Sequence, residues 1–101
     1  LLSPEGEGLA LIKPQFEAGK DRVGKNGVVR DPAVHEDVIA RVLAAAEELG
    51  FVPRGLTFSP VKGPKGNIEY LLYLGMQGGR TAIADEEIAA VVAEAHRTLD
   101  G

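Results

Sequence analysis

A chain of 101 residues, 45% of them hydrophobic, has the material for one small domain or part of a larger one. No apolar run approaches the roughly 18 residues that would suggest a membrane span, and the absence of cysteine excludes a disulfide framework and a thiolate metal site, which fits a cytoplasmic protein. A net charge of −4 argues against a free-standing nucleic-acid binder, yet nine of the eleven basic residues fall between Lys13 and Lys65.

Leu1 and Leu2, followed by the turn-rich Ser3-Pro4-Glu5-Gly6-Glu7-Gly8, read as the end of an element begun earlier. Leu9-Ala10-Leu11-Ile12 then forms a continuous apolar run, the pattern of a short strand buried on both faces in a parallel sheet. Lys13 falls at its end, because Pro14 cannot donate a ladder hydrogen bond. Ligands of open α/β sheets gather outside the carboxyl ends of the strands, so Lys13 is a candidate for chemistry; the plain alternative is a lysine marking the exit into solvent. The stretch after Glu17 carries Lys20, Arg22, Lys25 and Arg30 against Asp21, with glycines at 19, 24 and 27. It suits phosphate contacts with RNA or a simple solvated loop.

Asp31-Pro32 predicts a helix start: aspartate is a good N-cap, and proline at the first helical position lacks only an N–H that would be orphaned anyway. Val34, Val38, Val42 and Leu49, with Ile39 and Ala46, give an apolar stripe, and Gly50 supplies the stop. His35 has no companion at metal-ligand spacing and reads as a surface or capping histidine; no metal site is expected. Leu56-Thr57-Phe58-Ser59 predicts a second strand, and strand–helix–strand predicts a crossover with parallel pairing. After a turn-dense loop, Ile68 to Leu74 predicts a third strand, antiparallel to the first two because the loop is too short for a crossover. Its start, carrying Glu69, then lies on the same rim as Lys13, with Ser59, Lys62 and Lys65 nearby. A glutamate inside an apolar strand needs a partner, and a structural salt bridge would also supply one. Met76 to Arg80 reads as a linker. Asp85 predicts the cap of a last helix with an apolar face at Ile88, Val91, Val92, Ala95 and Leu99, and no catalytic role is assigned to His96.

Two blocks carry a resemblance. Leu11-Ile12-Lys13-Pro14-Gln15-Phe16-Glu17, with Val23-Gly24-Lys25 and Gly27-Val28-Val29-Arg30-Asp31-Pro32, resembles the TlyA-type branch of the FtsJ-like RNA ribose methyltransferases, whose members were first named hemolysins. Ser59-Pro60, Gly63-Pro64, Gly66-Asn67 and Glu69 resemble that branch's later block. The resemblance implies that residues 1–101 are the carboxyl-terminal half of a methyltransferase domain. It further implies an α/β, partial Rossmann-like fold of three strands, two parallel and one antiparallel, with two main helices. The third strand is expected between the other two. The family's catalytic Lys-Asp-Lys-Glu tetrad implies Lys13 as its second lysine and Glu69 as its glutamate. The first lysine, the aspartate and the turn that binds S-adenosylmethionine have no counterpart among these residues, so no cofactor-binding residue is assigned. The implied activity is 2′-O-methylation of ribosomal RNA, with ribosomal RNA or ribosomal subunits as partner and no membrane. Lys20, Arg22, Lys25, Arg30, Lys62 and Lys65 are the candidate RNA contacts. A non-enzymatic RNA- or protein-binding module and a membrane-active hemolysin are the competing readings.

Overall fold

The computed structural model describes residues 8–17, 28–75 and 83–99. The apolar run after the early glycines forms strand β1, Gly8–Ile12. It is not buried on both faces: Ile12 is covered, whereas Leu9 and Leu11 remain 45% and 47% exposed. Pro14 ends the strand and opens a single helical turn, α1, Pro14–Glu17, in which the Phe16 N–H donates to the Lys13 carbonyl at 2.9 Å.

Helix α2 covers Pro32–Glu48, and both of its ends follow the sequence signals. The Asp31 carboxylate accepts from the Ala33 N–H at 2.9 Å. At the other end Gly50 takes φ +91°, its N–H donates to the Glu47 carbonyl, and the Phe51 N–H donates to the Ala46 carbonyl. These two bonds are a Schellman closure, which needs a left-handed residue at this position. Open space surrounds Gly50, so Gly50→Ala meets backbone strain without a clash and should destabilise by about 1 kcal/mol. Thermal melting with Gly50→Asn beside it checks this, since asparagine tolerates the conformation and should lose less.

Strand β2, Val52–Phe58, and strand β3, Tyr70–Gly75, complete one sheet in the order β1-β3-β2. Both ladders are antiparallel: Gly8↔Leu74 to Ile12↔Tyr70 on one side of β3, Val52↔Gly75 to Phe58↔Tyr70 on the other. The expected sheet with two parallel strands is therefore corrected to an all-antiparallel one. The short return from β2 turns β3 back beside it, and β3 also takes the inner edge of β1. β1 and β2 then have no ladder with each other, so no parallel pair forms. Pro53 is tolerated inside β2 because β2 is an edge strand and its register shifts between Pro53 and Gly55.

Helix α3, Asp85–Leu99, is with α2 the second of two long helices among the described residues, and the single turn α1 is an addition to the two main helices expected. Asp85 lies in its first turn and not at the cap; the Ala84 carbonyl accepts from Glu87 and Ile88. One sheet face, with Ile12, Leu56, Tyr70 and Leu72, packs with Val34, Val38, Ile39 and Leu43 of α2 and Ile88, Val92 and Ala95 of α3. Leu49, placed in the apolar stripe by its spacing, is 73% exposed, and Leu43 is buried in its stead. On the opposite sheet face Leu9, Leu11 and Tyr73 are about half exposed.

Candidate active site

Antiparallel pairing brings the two candidate catalytic residues to one rim. Ile12 pairs with Tyr70, Lys13 follows Ile12, and Glu69 precedes Tyr70. The proline that stops β1 therefore also fixes where the lysine leaves the sheet. The Lys13 ammonium lies 5.5 Å from the centre of the Phe16 ring, a cation–π contact supplied by α1.

Glu69 is buried, 7% exposed, and its surroundings define its pose. Its backbone carbonyl accepts from the Ser59 N–H at 2.8 Å, tying the entry of β3 to the exit of β2. The Gln15 side-chain amide donates to Oε2 at 2.9 Å. Gly63 lies against the carboxylate so closely that an added Cβ would strike it. The Ser59 hydroxyl donates to the Val61 carbonyl at 2.9 Å and accepts from the Val61 N–H at 3.4 Å, so it serves its own loop. That loop closes through Gly63 N–H to the Asn67 carbonyl at 2.7 Å, with Lys65 at φ +62° and Gly66 at φ +84° carrying the turn.

Sequence reasoning missed a second polar network. His35 is not at the surface but fully buried. Its Nε2 lies 2.8 Å from the Val29 carbonyl and its Nδ1 2.8 Å from the Tyr70 hydroxyl. A carbonyl only accepts, so Nε2 carries the proton; a neutral ring then accepts the Tyr70 O–H at Nδ1. The Val29 N–H in turn donates to Asn67 Oδ1 at 3.0 Å. Both polar groups of the Val29 backbone are thus held, the carbonyl by His35 six positions on and the N–H by Asn67 across 38 positions. His96 stacks obliquely on His35, ring centres 4.8 Å apart, and its own Nδ1 donates to the Val92 carbonyl at 2.8 Å.

Of the candidate RNA contacts, Arg30 and Lys65 are exposed and Lys62 is half-buried; Lys20, Arg22 and Lys25 lie outside the described residues. Among the described residues there is no group of three or more His, Asp or Glu side chains that could hold a metal, and no helix long and apolar enough to cross a membrane.

Residues 2–76 match the FtsJ-like methyltransferase family. The chain belongs to that family. It is 49% identical to the provisionally named rRNA methyltransferase YqxC of Bacillus subtilis, covering 98% of this chain and 36% of the relative. It is 43% identical to the 16S/23S rRNA (cytidine-2′-O)-methyltransferase TlyA of Mycobacterium tuberculosis, over 81% of this chain and 31% of the relative. A provisionally named hemolysin from Streptococcus thermophilus superposes with a TM-score of 0.87 at 42% identity, covering 99% of this chain and 36% of that one. The chain thus spans about a third of the length of the curated relatives it matches.

FtsJ-like methyltransferases generally use S-adenosylmethionine. The described residues do not show where it binds. A cleft of about 320 Å³ lies between α2 and α3, lined by Ala33, Glu36, Asp37, Ala40, Asp85 and Ile88, which are helix residues and no part of the Lys13–Glu69 rim. Sites for ligands of this size bury most of the molecule in a largely apolar hollow. The rim carries the Lys13 side chain and a carboxylate held by Gln15.

Proposed function

We propose that this chain is the acceptor side of an S-adenosylmethionine-dependent ribosomal RNA ribose 2′-O-methyltransferase. The observation that carries this reading is the Ile12↔Tyr70 pairing, which brings Lys13 and Glu69 to one rim from positions far apart in sequence. Membership of the FtsJ-like family and the match of both residues to tetrad positions support it.

S-adenosylmethionine, when bound, supplies the methyl group, and no residue of this chain is assigned to hold it. A ribose hydroxyl is a weak nucleophile, so the acceptor side has two tasks: to fix the oxygen in line with the incoming methyl, and to take its proton. Lys13 receives or orients the 2′-hydroxyl proton, a role open to a lysine in its neutral form. Glu69 fixes the lysine or the ribose. The partner is ribosomal RNA or a ribosomal subunit, which places the protein in the cytoplasm.

The test is transfer of labelled methyl from S-adenosylmethionine to ribosomal RNA by the full-length protein, with the product mapped as an alkali-stable linkage. Label on a base, or none on RNA, would overturn the reading.

The cations divide from the rim by what they do. Arg30, Lys62 and Lys65, with Lys20, Arg22 and Lys25, bind phosphates. Replacing one by alanine should weaken RNA binding and flatten the plot of log affinity against log salt by about 0.7–0.9 for each phosphate no longer neutralised. Filter binding across a salt series measures both, and the rate at saturating RNA should remain close to wild type.

A further inference from the structure

We propose that Gln15 is a positioning residue that acts through Glu69, holding its carboxylate in the pose the acceptor site uses. This rests on the catalytic reading of Glu69 above.

Burying a carboxylate is costly. Deprived of water, it needs donors, and it turns about its last bond unless something fixes it. In this fold the fixing group comes from α1, the turn that follows Lys13. Gln15 Nε2 donates to Glu69 Oε2 at 2.9 Å across 54 positions of sequence. On another side Gly63 closes against the same carboxylate and leaves no space for a Cβ. The carboxyl group is therefore boxed between an amide donor and a glycine backbone.

The amide's direction is not arbitrary. Turned over, Gln15 would aim its carbonyl oxygen at a carboxylate, two acceptors facing each other. In the orientation it adopts, Oε1 is buried without a hydrogen-bond partner among the described residues. A buried, unpaired carbonyl is unfavourable, but less so than two acceptors facing each other, so the bond to Glu69 sets the orientation. Gln15 thus sets aside its own acceptor to orient the acid. Because Lys13 and Gln15 leave the sheet on the same turn, with Pro14 between them, one rigid step sets both the lysine and the donor that orients its companion.

The test uses the full-length protein with Gln15→Ala, Gln15→Glu, Glu69→Ala and the double variant Gln15→Ala/Glu69→Ala. Single-turnover methylation is read at saturating RNA and donor, with donor affinity and melting temperature measured on each. A hydrogen bond to a charged group should be worth about tenfold to a hundredfold in rate. Gln15→Ala should lose that much with donor affinity unchanged and the melting temperature only modestly lowered, since the buried carboxylate loses one donor. It should lose less than about twofold more in rate once Glu69 is already alanine. Gln15→Glu should be slow at neutral pH and regain rate relative to wild type as pH falls, because two facing carboxylates share a proton. Gln15→Ala at wild-type rate, or an equal loss in both backgrounds, would overturn the proposal while leaving Glu69 catalytic. Glu69→Ala at wild-type rate would instead remove the catalytic reading and this inference together.

Discussion

Lys13→Ala in the full-length protein should slow single-turnover methylation of ribosomal RNA by about a hundredfold to ten-thousandfold, the usual loss when a positioned base is removed. Glu69→Ala should do the same. Donor affinity and thermal melting should stay nearly unchanged for Lys13→Ala, because its side chain stands at the end of β1, half exposed, and not in the packed face formed by Ile12, Tyr70 and Leu72. The two losses should combine to less than their product, since residues that act on one hydroxyl are not independent. Near wild-type rate for Lys13→Ala at saturating RNA would reduce Lys13 to a strand-end lysine.

The largest expected loss of stability is at His35. Its ring is fully enclosed and joins the Tyr70 hydroxyl to the Val29 carbonyl. His35→Ala opens a cavity and takes a buried hydrogen-bond partner from both the Tyr70 hydroxyl and the Val29 carbonyl, which together should cost about 3 kcal/mol or more. For a domain of this size that lowers the melting temperature by more than about 10 °C. His35→Phe separates the two causes, because it restores volume but not hydrogen bonding. It should still melt well below wild type, and a wild-type melting temperature for it would show that the ring only fills space. Tyr70→Phe removes one bond of the two and should be milder, about 1 kcal/mol.

The legible parts of this molecule are those with local causes. Asp31-Pro32 and Gly50 mark the ends of α2 because capping is settled within four residues of the terminus. The Lys13–Glu69 rim is legible because Pro14 marks the end of one strand and the short loop before Ile68 sets the direction of another. What fails needs knowledge of neighbours. An apolar run such as Leu9-Ala10-Leu11-Ile12 has the same sequence whether one face or two is covered, and the structure covers one. The rule that strand–helix–strand gives parallel pairing concerns two strands alone, and a third, β3, takes the edge between them. His35 misleads for the same reason: its partners Val29 and Tyr70 lie on other segments. A signal is nevertheless present, since His35 stands three and four positions before Val38 and Ile39, on the stripe that faces the core.

The strand in the middle of the sheet is the last of the three to be made. Tyr70 follows Ile12 by about 60 residues, roughly 3 to 12 s of ribosome travel at about 5–20 residues per second. During that interval β1 exists without the partner its backbone donors and acceptors find in β3. A short, sticky strand in waiting invites pairing with another nascent copy. The two residues that end it are of the kinds that discourage such pairing: Pro14 offers no N–H, and Lys13 adds a charge. The step from lysine to proline thus guards the newborn strand before it has any other work to do.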